Sequence, residues 1–236
     1  DAPHQFDYVV GNPPYVRQER IPDVLVAEYR RRFTTLYDRA DLYIPFIEHS
    51  LNSLAKGGSL GFICSDRWMK NKYGGPLRAM VAQNYHLKAY VDMVDTDAFH
   101  PEVIAYPAIT IISREKPGRT RIAHKPEINS NTLSILSKGI VAKKLPASED
   151  RIKEVAGIAS DADPWILESS DQLAIMRRLE AEFPVLEDTG CKVGIGVATG
   201  ADKAFIGIFD DLDVEPDRKL PLARTYDILD GHVEWR

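Results

Sequence analysis

Phe6-Asp7-Tyr8-Val9-Val10-Gly11-Asn12-Pro13-Pro14-Tyr15 decides the fold. Phe6 to Val10 read as a buried strand. Gly11-Asn12-Pro13-Pro14 ends it, because two prolines cannot continue a ladder. A strand that runs straight into such a turn places the turn at the carboxyl edge of a sheet, where open α/β folds bind ligands. Downstream, Leu42, Ile44, Phe46, Ile47, Leu51 and Leu54 recur at mostly helical spacing and predict an amphipathic helix over 40–54. Lys56-Gly57-Gly58 is expected as its C-terminal stop. Ser59 to Cys64 reads as a short buried parallel strand. A second helix is expected over about 76–84, and further strands over 87–94 and 104–113. This order predicts an α/β sheet with an antiparallel hairpin at its end.

Between these elements, residues 16–39 read as a polar loop and a short helix carrying Arg30-Arg31-Arg32. Residues 114–153 are rich in turn formers and predict a strand or two plus a linker. A helix is expected from Ser169 to Phe183, capped by Ser169 or Ser170, with Leu173, Ile175, Met176 and Leu179 on its apolar face. Residues 190–209 form a glycine-rich loop between apolar runs, and 210–236 are acidic.

Composition bounds the class. The 236 residues are 44% hydrophobic and 28% charged, which excludes wholesale disorder. No run of about 18 apolar residues occurs, so no membrane span is expected. The N-terminus lacks a basic start followed by an apolar stretch, unlike a secretory signal. The 2 cysteines, Cys64 and Cys191, are far apart and have no CxxC partner. This argues against a disulfide framework or a zinc site and fits a cytoplasmic setting. The histidines have no metal-ligand spacing. The net charge of −5 is uneven: about −1 over 1–113, about +6 over 114–153 and about −10 over 154–236. The basic middle reads either as a phosphate-facing stripe or as a solvated connector.

Asn12-Pro13-Pro14-Tyr15 suits one chemical task. The side-chain carbonyl of Asn12 is an acceptor, and the backbone carbonyl of Pro13 can face the same way. Two acceptors facing one amino group bind both of its hydrogens and favour its pyramidal, nucleophilic form. Tyr15 offers a flat face for stacking on the ring that bears the amine. Gly194-Ile195-Gly196-Val197-Ala198-Thr199-Gly200 is spaced GxGxxxG rather than GxGxxG. It reads as a structural turn rather than a nucleotide loop.

A strand followed by this tetrapeptide resembles the amino-methyltransferases that use S-adenosylmethionine. Three further stretches narrow the likeness: Val16-Arg17-Gln18-Glu19, Ala40-Asp41-Leu42-Tyr43 and Gly57-Gly58-Ser59-Leu60-Gly61-Phe62-Ile63. With Ser65-Asp66-Arg67-Trp68 and Tyr73-Gly74-Gly75-Pro76-Leu77-Arg78, they are similar to the Eco57I-like adenine-specific DNA methyltransferases of restriction-modification systems. Val193 to Ile206 resembles the opening of a TaqI-like specificity domain.

The resemblance implies the second half of a Rossmann-like methyltransferase sheet over 1–115. It further implies a basic connector over 116–165 and the start of an α+β target-recognition domain over 166–236. It implies S-adenosylmethionine as cofactor and double-stranded DNA as partner, with an endonuclease fused in some relatives. An adenine would be flipped out of the duplex, oriented by Asn12 and Pro13, and stacked on Tyr15. Phe99, with Tyr106 in reserve, would line the base pocket. Asp66 would border a pocket or be an exposed loop acid, and Arg30-Arg31-Arg32 would touch phosphate or form a solvated helix face. The family's glycine-containing cofactor loop and acidic ribose-binding residue lie upstream of the tetrapeptide, and only eleven residues precede Asn12 here. An internal segment is therefore expected, holding the cofactor poorly, with its main cofactor-binding residues unassigned. Two other readings stay open: an NPPY-type methyltransferase acting on RNA guanine or protein glutamine, and a non-catalytic DNA-recognition fragment.

Overall fold

β1 (Phe6–Gly11), β2 (Leu54–Ser65), β3 (His86–Asp92), β4 (Pro107–Ser113), β5 (Thr120–His124) and β6 (Lys153–Val155) form one mixed sheet. Their spatial order is β1-β2-β4-β3-β5-β6. The structure, a computed structural model, describes residues 5–98, 106–146, 149–167, 170–192, 194, 199–223, 227–229 and 232–233. β1 and β2 run parallel, as do β3 and β5. β4 runs antiparallel to both β2 and β3, and β6 antiparallel to β5. The expected pairing of 87–94 with 104–113 is present as β3 and β4. β4 is inserted between β2 and β3, and the sheet continues beyond it.

Helices cover one face of this sheet. In α2 (Tyr43–Asn52), Tyr43, Ile44, Ile47 and Leu51 turn inward at three- and four-residue spacing. Pro45 sits in the first turn, where its missing N–H leaves no bond unmade. In α4 (Gly75–Asn84), Pro76 plays the same part, and Leu77 and Val81 are buried. These residues join Leu60, Phe62 and Cys64 of β2 and Ala108 and Ile112 of β4 in the main core. The leucine, isoleucine, valine and phenylalanine side chains among them each contribute about 1.5–3 kcal/mol on burial. Before α2, α1 (Asp23–Arg32) carries the arginine cluster. The short α3 (Arg67–Lys70) follows β2 and buries Trp68, whose ring meets Trp165 edge-on at 5.3 Å between centroids.

The opposite face is covered in part by α5 (Ser130–Val141). Asn129 caps α5 by accepting a 2.8 Å bond from the Thr132 amide. Leu136 packs on Val91, Met93, Ala123 and Ile152. Beside α5, Tyr8, Val10, Gly61 and Ile111 line an open groove of about 560 Å³.

Three expectations are corrected. The strand at Phe6–Gly11 is not buried: β1 lies at the end of the sheet order, and Phe6, Tyr8 and Val10 alternate outward at 51, 79 and 83% exposure. The segment 116–165 is not a connector, for it supplies β5, α5 and β6 and buries Ile122, Ile152, Val155 and Trp165. Four of its cations, Arg119, Arg121, Lys125 and Arg151, pair with acids of the chain. Arg121 donates to the carbonyls of Gly139, Ile140 and Ala142 at the end of α5 and pairs with Glu154 at 2.8 Å. Lys56-Gly57-Gly58 is not a helix stop, since α2 has ended at Asn52 and these residues lie inside β2. They form an irregularity there: Phe6 pairs with Leu54, but Tyr8 pairs with Ser59. Gly57 takes a left-handed φ of 83°, and a Cβ on Gly58 would stand 2.7 Å from the Phe6 carbonyl oxygen.

α6 (Ser170–Glu182) forms as expected, but Ile175, Met176 and Leu179 of its apolar face are exposed at 39–52%. α6 belongs to the first of two compact units, Asp1–Glu182 and Phe183–Arg236. The second unit holds α7 (Asp202–Phe205) and a two-stranded antiparallel sheet, β7 (Ile228–Leu229) with β8 (His232–Val233). Most of Gly194–Gly200 lies outside the described residues; at its end the Thr199 hydroxyl bonds the Asp202 carboxylate in a local turn. Among the described residues, no helix is long and apolar enough to cross a membrane.

Candidate active site at the carboxyl edge of the sheet

The directions of the strands bring four chain segments to one edge. β1 ends at Gly11, so Asn12-Pro13-Pro14-Tyr15 leaves at its carboxyl end. β2 ends at Ser65, which pairs with Pro107 at the start of β4, so Asp66 and Tyr106 lie side by side. The Asp66 amide donates to the Tyr106 carbonyl at 3.0 Å. Asp92 at the end of β3 pairs with Ala108.

Within the turn, Asn12 is exposed and Pro13 is buried. Tyr15 is 43% exposed, which leaves its ring partly open. The other part of the ring leans on Tyr43, with centroids 6.5 Å apart and planes tilted by 52°. Burial, with a smaller push from Cys64, raises the Tyr15 hydroxyl to about 12, so it stays protonated at neutral pH. The turn is tied to α2 by the Leu42 amide, which donates to the Val16 carbonyl at 2.9 Å.

Tyr43 itself is 1% exposed. Its hydroxyl shares a 2.6 Å hydrogen bond with that of Tyr73. Asp41, two residues before, is half-buried, and burial pushes its carboxyl up while Arg17 and Arg67 pull the other way. Arg67 places its guanidinium over the Tyr106 ring, 4.3 Å from the centroid. Asp66 is not an exposed loop acid. It is 2% exposed, accepts a 2.8 Å bond from the Tyr90 hydroxyl and pairs with Lys70 at 2.7 Å.

The structure therefore brings Asn12, Pro13, Tyr15 and Tyr106 to the same edge. Phe99 lies outside the described residues. Sequence reasoning assigned nothing to Tyr43, Tyr73, Asp41 or Arg67. The signal for Tyr43 was its position on the inward face of α2, whereas the contact with Tyr73 spans thirty residues and has no local signature. Arg30-Arg31-Arg32 is spent locally: Arg31 and Arg32 pair with Glu28, and Arg30 donates to the Asp38 carbonyl.

An antiparallel strand between two strands of common direction, with its polar and aromatic groups at the carboxyl edge, defines a class. It is a mixed α/β fold shared with solved proteins of restriction-modification systems. A chain from a solved type I restriction-modification system superposes with a TM-score of 0.55 at 16% identity, covering 80% of this chain and 45% of that one. Residues 1–99 match the family described as Eco57I restriction-modification methylase. Over 98% of its length the chain is 66% identical to the type II methyltransferase M.PaeR7I of Pseudomonas aeruginosa, covering 40% of that protein. Over 99% it is 56% identical to the type II methyltransferase M.XhoI of Xanthomonas vasicola, covering 43%. The chain thus spans less than half the length of these relatives.

At this edge the chain presents an exposed amide, Asn12, beside a partly open aromatic ring, Tyr15.

Proposed function

We propose that this chain is the catalytic part of a DNA methyltransferase that methylates the amino group of a flipped adenine. The observation that carries the reading is the exposed Asn12 side chain next to the half-open Tyr15 ring at the carboxyl end of β1. Asn12 Oδ1 and the Pro13 carbonyl accept the two amino hydrogens. Tyr15 stacks on the base, and Tyr106, at the same edge, lines the pocket beside it. S-adenosylmethionine, when bound, supplies an electrophilic methyl on a positively charged sulfur. With it bound, the amino nitrogen held by Asn12 and Pro13 would take that methyl, the sulfur would keep the electron pair of the broken bond, and the nitrogen would lose its extra proton afterwards. No side chain has to remove it first, because the leaving group departs neutral. The contribution of this chain is position and electrostatic complementarity.

The test is Asn12→Ala in the full-length enzyme, with methylated nucleosides identified by mass spectrometry. Losing one preorganised polar contact costs about 3–4 kcal/mol in the transition state, or some two to three orders of magnitude in rate. DNA affinity should hardly move. Near-normal turnover of Asn12→Ala would remove Asn12 from the mechanism. Methylation of RNA guanine or of a protein glutamine, with none on adenine, would reassign the substrate.

A further inference from the structure

We propose that Tyr43 is a positioning residue for Tyr15, locked in place by the Tyr43–Tyr73 hydroxyl pair; this rests on the stacking role proposed for Tyr15. The buried part of the Tyr15 ring leans on the Tyr43 ring at 6.5 Å and 52°. A stacking platform is useful only if its plane is fixed before the base arrives, since each unfixed rotamer is ordered at the cost of binding. The Tyr43 ring can fix it because it is itself immobile. It is 1% exposed, it sits in the first turn of α2, and its hydroxyl is bonded to Tyr73 at 2.6 Å. The Ser65 side chain approaches the same oxygen from the end of β2. Three separate segments therefore meet at one phenol: the start of α2, the end of β2 and the turn at Lys72–Gly74. The Leu42–Val16 backbone bond ties the residue before Tyr43 to the residue after Tyr15. Tyr15 and Tyr43 are thus linked twice, ring to ring and backbone to backbone.

The experiment uses Tyr43→Phe and Tyr73→Phe, singly and together, in the full-length enzyme, with Tyr15→Ala alongside. Both phenylalanine variants keep their rings, and Tyr73 is not fully buried, so Tyr73→Phe preserves the fold even where Tyr43→Phe loosens it. Single-turnover methylation, DNA affinity and the fluorescence of 2-aminopurine at the target position are read for each. Each hydroxyl variant should slow methylation roughly tenfold and dim the flipped-base signal, while DNA affinity stays within about twofold. The double variant should be no slower than the slower single one, because both remove the same bond. A merely structural pair would lower thermal stability and leave the single-turnover rate intact at a permissive temperature, and that result overturns the inference. So do losses that multiply in the double variant. If Tyr15→Ala is slow while both hydroxyl variants are normal, the inference fails and the stacking reading stands. If Tyr15→Ala is itself normal, both fall.

Discussion

Replacing Arg78 by methionine should cost the first unit about 3 kcal/mol. Arg78 is 2% exposed on α4, and three backbone carbonyls depend on it. Its Nη1 donates to Trp68 at 2.5 Å and Asn71 at 2.8 Å, and its Nε donates to Ala162 at 2.8 Å. Burial pulls the guanidinium pKa down, while Asp163 and Asp161 oppose that, so the charge is kept at a cost. Methionine fills most of the space but has no donor. An acceptor left without a partner costs about 1–3 kcal/mol. The low end applies, because removing a buried charge returns part of its desolvation. Three acceptors at about 1 kcal/mol each give the total. Urea unfolding followed by tryptophan fluorescence measures it directly, because Trp68 and Trp165 are buried against each other beside these bonds. A loss below about 1 kcal/mol, with an unchanged spectrum, would refute the claim that Arg78 holds this segment.

At the site, Tyr15→Phe should be mild and Tyr15→Ala severe in methylation assays of the full-length enzyme, since base stacking is worth about 1–3 kcal/mol and needs no hydroxyl. Equal large losses would point to the hydroxyl. Burial raises Tyr15 and Tyr73 each to about 12 and Tyr43 further. The folded chain then keeps protons that the unfolded chain gives up near pH 10, so the stability present below pH 10 falls as pH rises toward 12. Absorbance titration at 295 nm should show these three of the 10 tyrosines ionising late, and three that titrate normally would contradict their burial. Gly58→Ala should push β1 off β2, because its Cβ would stand 2.7 Å from the Phe6 oxygen and 3.1 Å from that of Asp7. Overpacking of this kind costs about 1–3 kcal/mol, and hydrogen exchange along β1 should rise accordingly.

Much of the fold could be read locally. α4 with its early proline, and the alternation through β2 and β4, follow from periods that need no tertiary knowledge. The turn at Asn12 announced itself because two prolines after an apolar strand admit few conformations. Other features depended on partners far away in the chain. A glycine pair after a helix signals a helix end, yet a positive φ at Gly57 serves a strand irregularity equally well, and only pairing with β1 decides between them. The inward alternation of β5 was too short to stand out among turn formers. Phe6, Tyr8 and Val10 looked like core because apolar strands usually are; the position of β1 in the sheet sets their exposure. The burial of Asp66 depends on Tyr90, and the phenol pair behind Tyr15 on Tyr73, neither of which is near in sequence.

The insertion of β4 sets the order in which the chain can assemble. Pro107 must find Ser65, and Ser113 must find Ser59, across roughly 40–55 residues of intervening chain. Pairings this distant are slow, because their loop entropy is lost before any contact compensates for it. On a ribosome adding about 5–20 residues each second, the turn at Asn12 exists for several seconds before Tyr106 and Asp92 can reach it. During that interval β2 has one finished neighbour, β1, and a free flank where β4 belongs. A foreign strand that occupied this flank would leave β1, α2 and the Asn12 turn in place and still keep the edge from closing. Timing in synthesis, as much as final packing, thus governs whether the chemistry-bearing edge is completed.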